Sequence, residues 1–82
     1  MEDKIRDLVT SWITENKPAM VPPGGLAHDY DLLQAGVIDS LDYLNIVEHV
    51  GGALGIEIDI GKFDDSQLAT IAGMSRQIFQ QT

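Results

Sequence analysis

The chain has 82 residues, no cysteine and a formal net charge of −8, with thirteen acidic and five basic side chains. A single domain over residues 1–82 is expected, and a chain of this length buries only about 60–65% of the surface that it exposes on unfolding. The lack of cysteine excludes disulfides and thiolate metal sites. So thin a core leaves little room for an enclosed catalytic pocket, which favours a binding or carrying module over an enzyme.

The charge and the hydropathy pattern predict where the protein acts. A strongly acidic surface repels nucleic acid and anionic membranes, and it attracts proteins with basic patches. Residues 1–5 lack the layout of a signal peptide, which is basic and then apolar, and no apolar run approaches the ~20 residues that cross a bilayer. We therefore expect a soluble cytoplasmic protein that binds other proteins, and neither nucleic acid nor membranes.

Three stretches have the apolar spacing of amphipathic helices. The first covers 3–16 and ends before Pro18, because the residue preceding a proline is disfavoured in a helix. A second helix is predicted from 39 or 40 to about 54, and a last one over about 70–80. The residues predicted to face inward are Ile5, Leu8, Val9, Trp12 and Ile13, then Tyr43, Ile46, Val47, Val50 and Leu54 with Leu44 beside them, and finally Ile71, Met74, Ile78 and Phe79.

The segments between these helices are predicted to be mostly irregular. The connector over 17–38 contains Pro22-Pro23-Gly24-Gly25, yet its later apolar residues are expected to fold back over the helices: Leu32, Leu33, Val37 and Ile38. Residues 56–60 alternate between apolar and polar, but no second run does so, and an extended linker with isoleucines against the core is expected. A short helical turn is predicted near 63–67. The expected fold is all-α: a small four-helix bundle with three main helices, one short helix and a long loop between helices 1 and 2.

Ser40 is the candidate functional residue, because it lies where the connector meets the second helix. A group attached at this position lies close to free backbone N–H donors and to the positive end of the helix dipole, which stabilise a phosphate. Taken alone, the tripeptide Asp39-Ser40-Leu41 more often marks a helix cap, with Asp39 or Ser40 in that role.

The wider pattern around this tripeptide resembles the acyl and peptidyl carrier protein family. The matching segments are Gly36-Val37-Ile38 before it, the apolar spacing of the helix after it, Leu54-Gly55-Ile56-Glu57-Ile58 and Phe63-Asp64-Asp65. The resemblance covers most of the chain and implies a right-handed four-helix fold. It also implies that Ser40 receives 4′-phosphopantetheine from coenzyme A, and that the thiol of this arm holds acyl or aminoacyl groups as thioesters.

The resemblance also implies roles for the residues around Ser40. Asp39 would assist the phosphopantetheinyl transferase that modifies the serine, and Leu41 is the apolar residue beside the arm that partner enzymes contact. An acidic surface would bind a loading enzyme and a downstream transferase or synthase through Asp42, Glu48, Asp64 and Asp65. The chain would then be a carrier and not an enzyme, would hold no metal, and would act as a monomer because it visits several enzymes.

Three departures from the fatty-acid members of this family narrow the expected pathway. Gly51-Gly52-Ala53 stands where those members commonly have glutamates, His49 adds a titratable group to the second helix, and Ile38 replaces a small or polar residue. We therefore expect a dedicated carrier for a secondary-metabolic, polyketide, nonribosomal peptide or aminoacyl pathway.

Two other functions can be tested against the sequence, and a third stays open. A serine hydrolase is disfavoured because Ser40 lacks the Gly-x-Ser-x-Gly turn and the two histidines, His28 and His49, are isolated. An EF-hand calcium loop that begins at Asp29 fails at its fifth, sixth and twelfth positions, which are Leu33, Gln34 and Ser40. The alternative left open is an unmodified acidic protein-interaction module in which Ser40 only caps a helix.

Overall fold

The computed structural model describes residues 2–82, apart from the side chain of Asp65. Three α-helices form, with α1 at Glu2–Asn16, α2 at Ser40–Leu54 and α3 at Ile71–Phe79. No strand occurs over this part of the chain. The all-helical fold is thus confirmed, and the helix bounds lie within one residue of those predicted.

The connections contain 3₁₀ turns at Pro18–Met20, Ile60–Lys62 and Asp65–Gln67. The last of these occupies the place of the short helix that was predicted near 63–67, but it is a single 3₁₀ turn. A four-helix bundle with a short fourth helix is therefore not confirmed. None of the helices in the described residues is long and apolar enough to span a membrane.

One apolar core joins the three helices, and α1 packs against both α2 and α3. Most of the predicted inward face is buried, and Leu8, Trp12, Tyr43 and Leu54 pack at its edge. Phe79 was expected to face inward, and Leu44 was expected beside the inward face. Both are exposed, because each lies at the margin of its helix's apolar stripe. The fully buried apolar side chains are Ile5, Val9, Ile13, Leu32, Ile46, Val50, Ile71, Met74 and Ile78.

The connector between α1 and α2 is fixed to the start of α3 by two backbone hydrogen bonds. The Leu32 amide donates to the Ala69 carbonyl over 2.7 Å, and the Ala72 amide donates to the His28 carbonyl over 2.9 Å. Leu32, Val37 and Ile38 are buried, as predicted. Leu33 is exposed, contrary to prediction, because it follows Leu32 in a turn and points away from the core.

The segment after α2 is extended but forms no strand. Gly55 adopts φ +70° and ends α2, and the Ile56 amide donates to the Gly51 carbonyl over 3.0 Å. Ile58 packs against the core, whereas Ile60 is exposed, so the expectation that the isoleucines contact the core holds only in part. The Gln81 side chain holds the backbone of Asp59 by accepting from its N–H over 2.7 Å and donating to its C=O over 2.8 Å.

Polar side chains attach the last 3₁₀ turn to α3. The buried Gln77 accepts from the Asp64 amide over 3.1 Å and donates to the Gln67 side chain over 3.3 Å. Gly73 permits this approach, because a Cβ at that position would lie on the Gln67 carbonyl group. The turn at Asp65–Gln67 thus takes its place through specific hydrogen bonds and one glycine.

Candidate functional site

Asp39 is the residue that caps α2. Its side chain accepts a hydrogen bond from the Asp42 amide over 2.8 Å, and the Asp42 carboxylate accepts one from the Asp39 amide over 3.1 Å. This reciprocal pair is a capping box, which satisfies two backbone donors at the helix terminus. Ser40 is the first residue of the helix and is not its cap.

The Ser40 side chain is exposed at the start of α2. Within the described residues its hydroxyl makes no hydrogen bond, and the cap of α2 is formed by Asp39 and Asp42 instead. Leu41 beside it is 66% exposed, the highest value among the exposed large apolar side chains. A hydroxyl and an apolar side chain are therefore both accessible at one end of α2.

The charges around Ser40 are arranged in a cluster. The Lys17 ammonium, at the end of α1, lies 3.1 Å from Oδ2 of Asp42. The hydrogen bond from the Asp42 amide is the main cause that lowers the pKa of the Asp39 carboxyl, and the positive charge of Lys17 lowers it further. Two carboxylates and one ammonium thus surround the start of α2.

A surface depression of about 520 Å³ adjoins Ser40. The residues that define this Ser40 depression include Lys17, Met20, Leu33, Asp39, Ser40 and Asp42. Met20 and Leu33 supply exposed apolar surface, and Lys17 supplies a cation. A hydroxyl with a neighbouring cation and apolar surface fits a phosphate-linked group with a partly apolar stem.

The four acidic residues predicted to bind partners have different environments. Glu48 is exposed on α2, whereas the Asp42 carboxylate is only 13% exposed and is engaged with Lys17 and the Asp39 amide. Asp64 lies before α3, where it accepts hydrogen bonds from the backbone and hydroxyl of Ser66 and from Gln67. The hydroxyl bond is the main cause that lowers the pKa of Asp64. The side chain of Asp65 lies outside the described residues.

These environments do not test partner binding by the four acidic residues, which stays a prediction. Two of the carboxylates have structural partners: Asp42 takes part in a helix cap and an ion pair, and Asp64 stabilises a turn. Glu48 is exposed and borders an apolar groove of about 510 Å³. This groove is lined by Leu44, Val47, Ile56, Ile58 and Ile60, with Glu57 also at its margin.

Neither histidine belongs to the Ser40 depression. His49 instead lines a groove of about 670 Å³ between α1 and α2, together with Trp12, Asn45 and Glu48. The backbone carbonyl of His28 accepts the hydrogen bond from Ala72. In the part of the chain that the structure describes, no group of three or more His, Cys, Asp or Glu residues is arranged to hold a metal ion.

Lys17 is the site residue that the sequence analysis missed. Twenty-two positions separate it from Asp39, and no local spacing relates a lysine at the end of one helix to the start of the next. The only available signal is its place directly before Pro18, where the first helix must end near the connector.

Ser40 is the candidate functional site because of its motif and its exposed position at the start of α2. In comparisons with known proteins, no family model, no curated protein and no solved structure matches this chain.

Proposed function

We propose that this chain is a carrier protein that bears 4′-phosphopantetheine on Ser40 and holds acyl or aminoacyl groups as thioesters. The observation that supports this most is the state of the Ser40 hydroxyl, which is exposed and takes no part in the helix cap. A serine kept for capping would accept a backbone N–H, and here Asp39 does so. The sequence around Ser40 resembles the motif of the carrier protein family.

The proposal includes the four-helix arrangement of that family. In this view the two 3₁₀ turns at Ile60–Lys62 and Asp65–Gln67 occupy the region of the family's short helix. The extended segment before them carries Ile56 and Ile58 toward α2, as a connection into such a helix would. The three long helices supply the remainder of the bundle.

The proposed modification is a phosphoryl-group transfer to this chain. The Ser40 hydroxyl loses its proton to a base of the transferase and forms a phosphodiester, while the pyrophosphate bond of coenzyme A breaks and adenosine 3′,5′-bisphosphate leaves. When bound, the arm supplies a thiol, which this chain lacks because it contains no cysteine. The chain's own residues present the serine at the start of α2 and keep the helix terminus capped.

The proposed partners are a phosphopantetheinyl transferase, a loading enzyme and a downstream transferase or synthase. Leu41 offers them an exposed apolar contact beside Ser40, and Glu48 offers a carboxylate on the same helix. The net charge of −8 favours partners with basic surfaces and makes the encounter sensitive to salt. Gly51-Gly52-Ala53 shortens the acidic face of α2, which supports a dedicated secondary-metabolic or aminoacyl pathway.

The test is modification in vitro. The wild type, Ser40→Ala and Ser11→Ala are incubated with coenzyme A, Mg²⁺ and several broad-specificity phosphopantetheinyl transferases, and intact masses are recorded. Ser11 is an exposed serine of α1 and serves as the matched control. We expect one phosphopantetheine on the wild type and on Ser11→Ala, and none on Ser40→Ala.

An unmodified wild type, with circular dichroism that shows a folded helical protein, would contradict the proposal. The acidic protein-interaction module would then be the favoured function. Loading assays with fatty-acyl, polyketide and aminoacyl enzymes identify the cargo once modification is established. A protein that only fatty-acid enzymes load would contradict the dedicated-pathway part of the proposal.

A further inference from the structure

Lys17 is the one cation among the residues that line the Ser40 depression in the described part of the chain. We propose that its ammonium is a positioning group, which holds the phosphodiester formed on Ser40 and balances its charge. This inference rests on the proposed modification of Ser40, and it assigns to Lys17 a role beyond its ion pair with Asp42.

The start of α2 already carries two negative charges beside Ser40. The carboxylates of Asp39 and Asp42 flank Ser40 in sequence, and the capping box holds both at the start of α2. A phosphodiester on Ser40 adds a third anion to this cluster, and neighbouring negative charges repel one another. A cation that lines the same depression as Ser40 offsets that repulsion, and Lys17 is that cation.

The position of Lys17 is well defined by its backbone. Its amide donates to the Ile13 carbonyl over 2.7 Å, which continues the hydrogen-bonding pattern of α1 by one residue. Its carbonyl accepts from the Met20 amide over 3.0 Å, which fixes the first 3₁₀ turn. The side chain is 34% exposed, so it is partly screened from solvent but not buried, and it lines the Ser40 depression.

The ammonium also has capacity for a second acceptor. A lysine carries three N–H donors, and the contact with Asp42 at 3.1 Å uses one of them. The charge of Lys17 already acts on Asp39, since it contributes to lowering the pKa of that carboxyl. One cation therefore serves both carboxylates on either side of Ser40.

None of the other four basic side chains lines the Ser40 depression, and Lys4 is exposed on α1. Arg6 pairs with Asp3 in α1, and the Nε of Arg76 in α3 lies 3.9 Å from Glu2. Lys62 is exposed in the second 3₁₀ turn and does not line the Ser40 depression. Lys62 is therefore a suitable control for the loss of one lysine charge.

The experiment compares Lys17→Met and Lys62→Met with the wild type, each before and after modification of Ser40. Mass spectrometry first establishes that the arm is attached, and the melting temperature of each form is then measured at low salt and near 1 M salt. In the wild type and Lys62→Met, modification should change the melting temperature equally. In Lys17→Met, modification should lower the melting temperature by about 2–5 °C relative to its effect on the wild type, and high salt should reduce this difference.

The ³¹P resonance of the modified proteins gives an independent readout. We expect the resonance of Lys17→Met to shift from that of the wild type, and that of Lys62→Met to coincide with it. Equal melting-temperature changes and coincident ³¹P resonances in all three modified proteins would overturn the role of Lys17. The proposed modification of Ser40 would still stand. A folded wild type that is never modified would instead overturn the proposed function, and this inference with it.

Discussion

The amide nitrogen of Leu32 lies 2.7 Å from the carbonyl oxygen of Ala69 and donates a hydrogen bond to it. The Leu32 side chain is fully buried, and its own carbonyl accepts hydrogen bonds from the amides of Val37 and Ile38. This residue therefore joins the start of α3 to the turn that leads into Asp39 and Ser40. The position of the candidate site depends on a core residue of the connector.

Replacing Leu32 with alanine should destabilise the protein by about 2–4 kcal/mol, because it removes a fully buried leucine from the core. Leu33→Ala is the matched control, since Leu33 is 42% exposed, and it should cost less than about 1 kcal/mol. Urea unfolding followed by circular dichroism measures both. Similar losses in the two variants would contradict the arrangement of the connector.

Gly73 and Gly52 both lie in helices, but replacing each with alanine should change the stability of the protein in opposite directions. A Cβ at Gly73 would overlap the Gln67 carbonyl group, so Gly73→Ala should destabilise by about 1–3 kcal/mol. Nothing lies within 4 Å of a Cβ at Gly52, so Gly52→Ala should stabilise α2 by about 0.5–1 kcal/mol. Thermal unfolding distinguishes the two. A neutral Gly73→Ala would show that the turn at Asp65–Gln67 does not pack on α3 as described.

Asp39 and Ser40 should differ sharply in their effect on stability. Asp39→Ala removes the cap and should cost about 0.5–2 kcal/mol, whereas Ser40→Ala should change stability by less than about 0.5 kcal/mol. Chemical denaturation of the unmodified proteins provides the comparison. If Ser40→Ala were as damaging as Asp39→Ala, the serine would have a structural role, and the main support for the proposed function would be lost.

The cap should also weaken in acid. Because the pKa of Asp39 is lower in the folded state than its ordinary value of 3.8, its stabilising contribution is present above that value and is lost as the pH falls through the folded-state pKa. The asparagine side chain in the variant Asp39→Asn still caps the helix but does not titrate. When the free energy of unfolding is measured against pH, it should therefore fall less in acid for Asp39→Asn than for the wild type. Parallel curves, or an NMR titration of Asp39 with a pKa at or above 3.8, would contradict this.

Periodicity predicted the three helices because their apolar stripes are long and regular, and a proline and a glycine mark two of their ends. The sequence predicts a helical turn near 63–67, but it does not predict that this is a single 3₁₀ turn, which is held by hydrogen bonds between Asp64, Gln67 and Gln77. Such contacts join residues without a repeating pattern. Hydrophobicity alone also does not predict which neighbour of a buried residue faces the core. This is why the exposure of four apolar side chains was not predicted: Leu33, Leu44, Ile60 and Phe79.

The features of the candidate site that involve neighbours in sequence could be predicted, and those that depend on tertiary contacts could not. Ser40 and the Asp39 cap follow from a short motif at a helix start. The choice of Asp39 over Ser40 as the cap required the reciprocal bonds with Asp42. The approach of Lys17 from the end of α1 is a tertiary contact across the connector, and only the folded chain reveals it.

Peptide mapping determines whether Ser40 carries the phosphopantetheine arm. The protein is coexpressed with a broad-specificity phosphopantetheinyl transferase, digested, and sequenced by tandem mass spectrometry. We predict one phosphopantetheine, attached to Ser40 in the peptide that contains Asp39 and Leu41. An unmodified Ser40 peptide from the folded protein, or the group on another serine or threonine, would contradict the attachment of phosphopantetheine to Ser40.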